Sequence, residues 1–329
     1  MKTLQIPLKE AEKIRKLLIK HNLINFKYNL LKDKNFIYLP LSFFSLPKPF
    51  KKYKIIEKKL IKKEKVLSFE EKLNEILTKK ENLLLPRAYD VVGNIAILSL
   101  PSELRSKGKQ IGLALLSKNI TTVLCKDGIH SGEFRTQKLK YLAGKRTKEA
   151  LHKENGFLIK LNVEEVYFSV RSGNERLRIM NMVKPSEDVL VMFSGCGPFV
   201  LASSKAKLVV GVELNPIAHK YALENLSLNK INNVKLYNKD IRKVKLGKFD
   251  RIIMPLPLSA EDFLDVAITH SKKGTIIHLY LFLCDSTIPK AKKRIKEIFG
   301  KTKYRIQRIV KCGQHSPGVY RCCLDIKVL

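Results

Sequence analysis

Short apolar runs alternate with amphipathic segments throughout the second half of the chain. The run DVLVMFS leads into a glycine turn and a helical segment, and four more strand-like runs follow it: LVVGVELNP, VKLYNKDIRKV, FDRIIMPLP and GTIIHLYLFL. AHKYALENLSLNK, after the first of these, has the apolar spacing of a helix. Strand, turn and helix at this interval are typical of a doubly wound parallel sheet. We therefore predict an α/β domain over residues 166–329.

The first half of the chain predicts two smaller domains. In residues 1–65, apolar positions mark one side of a helix over 8–21, and a strand is predicted over 35–39. Prolines and the lysine-rich run KKYKIIEKKLIKKEK then indicate a boundary. Residues 66–165 mix helical and strand-like runs and predict a middle α+β domain. Its predicted elements are a helix over 69–78 and strands over 90–98, 121–124, 157–161 and 166–168.

The charge of the chain is strongly positive. It has 64 lysines and arginines against 30 acidic residues, a formal net charge of +34. Such a charge repels itself unless a polyanion offsets it, so nucleic acid is the expected partner. Residues 1–65 carry 18 basic and 5 acidic side chains, and we expect this domain to bind RNA. The alternatives are a lysine-rich surface that reflects genome composition and a plain N-terminal extension with solvated charge.

Membrane and metal chemistry are not expected. The sequence has no apolar stretch long enough to span a bilayer and no apolar signal-peptide core, so a cytoplasmic location is predicted. Its six cysteines include no C-x-x-C pair, which argues against a zinc knuckle and a disulfide scaffold. Reduced core cysteines are expected, although Cys312, Cys322 and Cys323 leave room for one disulfide.

The turn FSGCGPF follows the first strand of the α/β domain. Gly195 and Gly197 let the backbone approach a ligand closely. Glu213, about 20 residues on at the end of the second strand, can accept hydrogen bonds from both hydroxyls of a ribose. Asp240, near the end of the third strand, can accept from an adenine amino group. Val200 stands where a dinucleotide fingerprint has its third glycine, so a dehydrogenase fits poorly and S-adenosylmethionine is the predicted cofactor.

The fourth strand ends in Pro-Leu-Pro. Ligands of such a sheet lie beyond the carboxyl ends of its strands, so the group that accepts the methyl is expected there. Pro255 and Pro257 have fixed φ angles and no N–H, and we predict that they form a rigid wall beside the substrate.

The segment VYFSVRSGNERLRI precedes the sheet and carries candidate catalytic groups. Arg171, Glu175 and Arg178 share one helical face if the helix begins early enough, and the alternative is a solvated, salt-bridged helix start. N1 of guanine carries a proton at neutral pH, so Glu175 is the candidate base. The target base must be flipped out of its stack, and Phe168 or Tyr167 could stack on it.

With these residues in view, the chain resembles the archaeal and eukaryotic tRNA (guanine-37-N1)-methyltransferase family over nearly its whole length. VYFSVRSGNERLRI resembles the family's Phe-Ser-x-Arg segment followed by Glu-Arg, and DVLVMFSGCGPF resembles its cofactor loop. GVELNPIAHKYALENLSLN, DRIIMPLP and HSPGVYRCCLDIKV match in kind and order. The resemblance implies a class I S-adenosylmethionine-dependent methyltransferase domain, Rossmann-like, behind a middle α+β domain and a small basic N-terminal domain.

The resemblance also implies roles for individual residues. Glu175 would be the general base, and Arg135 would steady developing charge or a phosphate. The residues expected to hold S-adenosylmethionine are Glu213, Asp240 and the loop from Phe193 to Gly197, with Arg176 beside them. The residues expected to line the target base are Phe168, Arg171 and Arg176.

The resemblance further implies partners and a place of action. The N-terminal domain would touch the outer corner of tRNA and the rest of the chain its anticodon loop. The expected substrate is tRNA-Phe, and the enzyme is expected to act as a monomer.

Two positions depart from the family pattern. Many members have aspartate where this chain has Val191, and asparagine where it has Pro255. An archaeal branch resembles this chain in having Pro-Leu-Pro, and in that branch the enzyme methylates carbon 7 of 4-demethylwyosine, giving isowyosine, in wyosine biosynthesis. An apolar wall would relax the pocket for this larger base. We therefore expect both N1-methylguanosine and isowyosine as products.

Three alternatives remain open from the sequence. The first is methylation of N1 of guanine 37 alone. The second is a non-catalytic basic RNA-binding protein with a decayed methyltransferase fold, and the third, more distant, is a dehydrogenase.

Overall fold

The computed structural model describes residues 1–43, 46–63, 67–85, 88–128 and 132–329. They form two compact units, Met1–Ser68 and Phe69–Leu329. No helix in the described part of the chain is long and apolar enough to cross a bilayer.

The first unit is a small antiparallel sheet with one helix. Within its described residues the strands are β1 (Lys2–Pro7), β2 (Leu31–Lys32), β3 (Phe36–Pro40) and β4 (Lys54–Glu57), in the order β2-β3-β1-β4. The helix predicted over 8–21 is a 3-10 turn, Leu8–Glu10, followed by α1 (Ala11–Lys20). Ile14 and Leu18, one turn apart, are buried in the core of this unit with Leu4 and Ile6.

The second unit begins with a separate small sheet. Its elements up to residue 162 are α2 (Phe69–Ile76), α3 (Lys79–Leu84), β5 (Asp90–Val92), β6 (Ile95–Leu98), α4 (Gly108–Leu115), β7 (Thr122–Lys126), β8 (Leu139–Gly144), β9 (Glu149–Glu154) and β10 (Phe157–Asn162). Strands β5 to β8 pair in sequence order, and β9 pairs with β10. This part confirms the predicted middle α+β fold.

Two strands predicted in this region are wrong. The run 90–98 is a hairpin of two strands, with Val92 paired to Ile95. Gly93 makes the turn at a φ of +58°, and a Cβ there would lie 2.4 Å from the carbonyl oxygen of Leu151, so only glycine fits. The run 166–168 is irregular, because Val166 donates its N–H to Asn162 in a turn.

The large sheet is mostly parallel. It is built from α5 (Gly173–Met182), β11 (Asp188–Met192), α6 (Pro198–Ala202), β12 (Leu208–Glu213), α7 (Pro216–Leu228), β13 (Val234–Asn238), β14 (Phe249–Met254), α8 (Leu264–Thr269), β15 (Ser271–Leu283), α9 (Ile288–Phe299), β16 (Tyr304–Ser316) and β17 (Val319–Val328). In the described residues the strand order is β13-β12-β11-β14-β15-β17-β16. The predicted doubly wound sheet is confirmed for β11 to β15, and the antiparallel hairpin β16–β17 extends it.

Both faces of this sheet are covered. Along β11, Val189 and Val191 pack into one core, while Leu190 and Met192 pack into the other. Side chains of a strand alternate between the two faces, so a strand buried on both sides reads as continuously apolar. The strand order reverses beside β11, between β12 and β14, and a ligand crevice is expected at their carboxyl ends.

Candidate active site

A cleft of about 470 Å³ opens at the carboxyl ends of β11, β12 and β14. The predicted site residues that line it are Arg135, Phe168, Glu175, Arg176, Phe193, Gly195, Glu213, Asp240, Pro255 and Pro257. Gly197 and Arg171 are not among its lining residues. Residues that are far apart in the sequence therefore meet around one cavity, at the place where the strand order reverses.

The turn after β11 has an unusual backbone. Phe193, Gly195 and Gly197 all have positive φ angles, at 57°, 57° and 89°. Gly197 is the N-cap residue of α6 and packs near Ala222 rather than against the cleft. A Cβ at Gly195 would find no described protein atom within 4 Å, so the turn leaves room for a ligand there. The positive φ of Phe193 places a strained non-glycine residue at the cleft.

Glu213 ends β12 and binds this turn. Its Oε2 accepts a hydrogen bond from the backbone N–H of Gly195 at 2.7 Å, and its Oε1 accepts from that of Asn215 at 2.8 Å. Burial raises the pKa of Glu213 above the ordinary glutamate value, although the backbone hydrogen bonds oppose this effect. The carboxylate is thereby held in one orientation at the mouth of the glycine turn.

Asp240 lies on the other side of the cleft. Its side chain caps the 3-10 helix Ile241–Lys243 by accepting from the backbone N–H of Arg242, and it also pairs with the Arg242 guanidinium at 2.6 Å. Hydrogen bonding to Arg242 lowers the pKa of Asp240, so it is a carboxylate at neutral pH. The Arg242 guanidinium also stacks over Phe263, 5.0 Å from the ring centre.

These groups fit an adenosine-containing cofactor. Two carboxylates flank an open glycine turn, and Phe193 and Phe263 meet edge to face at 4.9 Å beside it. Ser194, buried in the same turn, has a hydroxyl oxygen that finds no hydrogen-bond partner among the described residues. A buried polar atom of this kind calls for a partner, and a bound ligand in the cleft would supply it.

Glu175 lies on the opposite wall, in the first turn of α5. It is only 5% exposed. Arg178 donates to both carboxylate oxygens at 2.7 Å, and the hydroxyl of Tyr280 donates to Oε1 at 2.5 Å. Glu175 is therefore a buried carboxylate with a fixed orientation at the edge of the cleft.

Arg176 faces a different partner. It donates two hydrogen bonds of 2.6 Å to Glu154 on β9 and one of 2.9 Å to the carbonyl of Ser169. Its guanidinium also lies 4.9 Å from the centre of the Phe168 ring. Burial alone would raise the pKa of Glu154, but hydrogen bonds from Arg176 and His152 outweigh it and lower that pKa to about 2. Arg176 thus fixes the Phe168 wall of the cleft.

Arg135 and the prolines form the remaining walls. The Arg135 guanidinium lies 4.9 Å from the centre of the Tyr167 ring. Pro255 is partly exposed and Pro257 is buried, directly after β14. The lining of the cleft therefore includes an apolar segment and a cationic, aromatic one.

Arg171 lies outside this cleft. It belongs to the 3-10 turn Val170–Ser172, its side chain is 60% exposed, and it pairs with Asp90 at 3.0 Å. It lines a second cavity of about 110 Å³ together with Lys126. The predicted helical face shared by Arg171, Glu175 and Arg178 is wrong for Arg171, because α5 begins only at Gly173.

Several lining residues were missed by sequence reasoning. They are Phe199, Arg242, Phe263, Tyr280 and Arg321. Tyr280 is one aromatic residue among many in an apolar strand, and Arg321 comes from the closing hairpin, where it donates to the hydroxyl of Ser172. Only the strand order, which places β15 beside β14 and β17 on the far side of β15, brings them to the cleft.

The cysteines are all free, including Cys312, Cys322 and Cys323. His278, Cys323 and Asp325 form a buried group with metal-ligating atoms within 4.8 Å of one another. Two arginines bind this group, Arg178 at Asp325 and Arg251 at His278. Their positive charges balance the negative charge of Asp325 without a metal ion.

Family models cover most of the chain. Residues 150–307 match the TRM5/TYW2 methyltransferase domain, residues 69–147 match the TYW2 N-terminal domain, and residues 3–42 match the tRNA methyltransferase 5 N-terminal domain.

Individual proteins resemble the chain over its length. Trm5b of Pyrococcus abyssi, a tRNA (guanine(37)-N(1))-methyltransferase, is 36% identical over 333 residues, 98% of each chain. Taw22 of Nanoarchaeum equitans, a tRNA (guanine(37)-N(1))/4-demethylwyosine(37)-methyltransferase, is 31% identical over 268 residues, 64% of this chain and 89% of its own. The solved complex of aTrm5 with tRNALeu has a TM-score of 0.77 at 31% identity and covers 99% of both chains.

Proposed function

The chain belongs to the TRM5/TYW2 methyltransferase family, and from that premise we propose that it methylates N1 of guanine 37 in tRNA. The family confirms the predicted fold class, the predicted S-adenosylmethionine cofactor and the prediction of an enzyme acting on tRNA. The observation that carries the proposal is that Glu175, a buried and oriented carboxylate, lines the same cleft as Glu213 and the glycine turn.

Different residues of the cleft would bind the cofactor and accept the proton. S-adenosylmethionine, when bound, supplies a methyl group on a sulfonium, which needs positioning more than activation. Glu213, Asp240 and the backbone of the turn would hold its adenosine. Glu175 would accept the N1 proton of guanine, since this nitrogen cannot attack while it keeps the proton.

The aromatic and cationic wall would hold the target base. Phe168 is kept in place by Arg176, and Arg135 and Tyr167 lie beside it. A flipped purine needs a flat surface to stack on and donors for its exocyclic oxygen. Arg135 would provide such donors and would stabilise negative charge on O6 as the proton leaves.

The test uses tRNA-Phe transcripts with guanosine at position 37 and S-adenosylmethionine labelled in its methyl group. We expect labelled N1-methylguanosine by nucleoside mass spectrometry, and no product from a transcript with adenosine at position 37. Glu175→Gln should retain cofactor binding, measured by calorimetry, and lose about 10²–10⁴-fold in single-turnover rate. Label at any other nucleoside, or full activity in Glu175→Gln, would refute the proposal.

A second candidate reaction is methylation of carbon 7 of 4-demethylwyosine. Pro255 gives this cleft an apolar rim that donates no hydrogen bond, and Taw22, whose name includes this substrate, is a relative. The Trm5b proteins of Pyrococcus abyssi and Methanocaldococcus jannaschii, which match over 98% and 99% of this chain, are named for guanine-37 N1 methylation, which favours that reaction as the principal one. Incubation with tRNA that carries 4-demethylwyosine at position 37 separates the two, because only the second activity yields isowyosine.

The chain would bind tRNA through both of its units. A relative has been crystallised with tRNA, and the basic first unit, Met1–Ser68, would contact the outer corner while the cleft receives the anticodon loop. The chain would act as a monomer on tRNA-Phe. Size-exclusion chromatography with light scattering, with and without tRNA, measures the stoichiometry.

A further inference from the structure

A buried chain of charged groups runs inward from Glu175. Arg178 binds Glu175 with one side of its guanidinium and Asp325 with the other, at 2.8 and 3.2 Å. Asp325 accepts from Nδ1 of His278 at 2.6 Å, and Arg251 donates to Nε2 of the same ring at 2.7 Å. The groups come from α5, β17, β15 and β14, so four elements contribute to one buried network that ends at Glu175.

The protonation of this chain follows from its geometry. An arginine can only donate, so Nε2 of His278 must accept from Arg251 and Nδ1 must carry the proton. Burial lowers the pKa of His278, which keeps the ring neutral. Burial would raise the pKa of Asp325, but hydrogen bonds from His278 and Arg178 outweigh it and lower that pKa below the ordinary value. Asp325 is therefore an anion.

Other groups also face Glu175 and Asp325. Cys312 on β16 and Cys323 on β17 are thiols, because burial raises the pKa of each, that of Cys312 to about 12. Arg308 on β16 approaches Asp325 at 3.4 Å, and its side chain is 60% exposed. Glu187 closes the inner end of the chain by pairing with Arg251 at 2.8 Å.

We infer that Arg178 is a positioning residue for Glu175, and that Asp325, held in place by His278, shares the positive charge of the Arg178 guanidinium with Glu175. The inference rests on the proposed function of Glu175. An arginine that bound Glu175 alone would stabilise the carboxylate and weaken it as a base. Because Asp325 shares the same guanidinium, Glu175 is oriented without being fully neutralised.

Two isosteric changes act on Glu175 in opposite directions. Asp325→Asn removes the anion that shares Arg178 with Glu175. The Arg178 charge then acts on Glu175 alone and stabilises the Glu175 carboxylate. Tyr280→Phe removes the hydroxyl that donates to Oε1, which destabilises the carboxylate. Below the pKa of the base the rate falls, so the acid limb of the pH–rate profile reports these changes. Asp325→Asn should shift the acid limb to lower pH by about one pH unit, and Tyr280→Phe should shift it to higher pH by about one pH unit.

The experiment measures single-turnover methylation of guanosine-37 tRNA against pH for the full chain and these variants. Glu187→Gln is the matched control: it breaks the inner end of the chain and should lower the melting temperature while the limb stays in place. If the wild-type chain does not methylate guanine 37, that result overturns the proposed function as well as this inference. Active variants whose limbs stay in place, or move in the same direction, would overturn the inference. Shifts of the acid limb in opposite directions for Asp325→Asn and Tyr280→Phe would support the inference, because a network with only a structural role would not produce them.

Discussion

The carboxylate of Glu213 accepts hydrogen bonds from the backbone N–H of Gly195, in the cofactor turn, and from that of Asn215, at the start of α7. Because burial raises its pKa, Glu213 takes up a proton at a higher pH than an exposed glutamate does. A protonated carboxyl loses half of its acceptor capacity toward ribose hydroxyls. We therefore expect S-adenosylmethionine to bind more weakly as the pH falls from 7.5 toward 5, which calorimetry over that range measures.

A single substitution isolates this effect. Glu213→Gln keeps the shape of the side chain but has no charge to lose, so its dissociation constant should vary much less with pH. At pH 7.5 the loss of charged hydrogen bonds should weaken binding by about 10- to 100-fold. Equal pH dependence in wild type and Glu213→Gln would show that another group governs cofactor affinity.

At the scale of single residues, sequence reasoning found acidic groups that stand in or beside recognisable motifs and missed groups that reach the site only through the strand order. Glu175, Glu213 and Asp240 were predicted, and all three line the cleft. Asp325 was not, because its contact with Arg178 joins positions 147 residues apart. Such a contact depends on which strands are neighbours, and an antiparallel hairpin added to a parallel sheet leaves no local signal of its place.

Among the elements, the segment after β14 supplies the apolar rim of the cleft. Pro255→Asn would introduce an amide that can donate to a guanine edge, while Pro257 keeps the wall in place. If Pro255 selects for the larger base, the ratio of N1-methylguanosine to isowyosine should rise when both tRNA substrates compete. Nucleoside mass spectrometry of one mixed reaction gives the ratio directly. A matched variant, Pro255→Ala, separates added hydrogen bonding from lost rigidity, and an unchanged ratio in both variants would exclude a selecting role.

A buried ion pair joins β14 to the connection that follows α5. Arg251 is 2% exposed, binds both oxygens of Glu187 and donates to the carbonyl of Met182 at the end of α5. Burial would raise the pKa of Glu187, but Arg251 outweighs it and lowers that pKa. The folded-state pKa is thus below the unfolded one, so this stabilisation is present above the ordinary value of 4.5 and is lost as the pH falls below it.

Glu187→Gln should cost about 3 kcal/mol of stability at pH 7, because it leaves a buried arginine without its anion. The difference in unfolding free energy between wild type and variant should shrink as the pH drops below 4.5. Urea denaturation at pH 7 and at pH 4 measures both values. A difference that is the same at the two pH values would mean that the carboxylate charge is not the source of the stabilisation.

Element boundaries were predictable where an apolar run stood between clear breaks. Strands β11 to β15 were all predicted, because turns and amphipathic segments separate their strand-like runs. The hairpin at 90–98 reads as one strand, because residues 91–98 are apolar except for a Gly93-Asn94 pair. Only the close approach of Leu151 shows why the glycine is there. Residues 166–168 have strand composition but serve as a wall of the cleft, so a functional site overrode local propensity.

For the whole molecule, the net charge is +34. The buried ion pairs contribute no net charge, so this excess lies in the other lysines and arginines. Lysines cover the surface of the first unit, and Lys27, Lys62 and Lys63 are exposed neighbours there, since the N–H of Lys63 bonds to the carbonyl of Lys27. Exposed Phe26 and Ile61 lie beside them in the chain. A cationic patch suits the phosphate backbone of a nucleic acid, because neutralising phosphates releases counterions.

Replacing Lys27, Lys62 and Lys63 together with glutamine should therefore raise the KM for tRNA and leave kcat and cofactor affinity unchanged. The slope of log Kd against log salt concentration should become shallower by up to about 2 to 3, in proportion to the number of phosphates that the variant no longer neutralises. The control is the same change at Lys205, Lys207 and Lys248, which precede β12 and β14 at the amino ends of the strands, away from the cleft. If the control variant lowers tRNA affinity and its salt dependence as much as the first, the tRNA responds to total charge, and the first unit has no specific part in binding it.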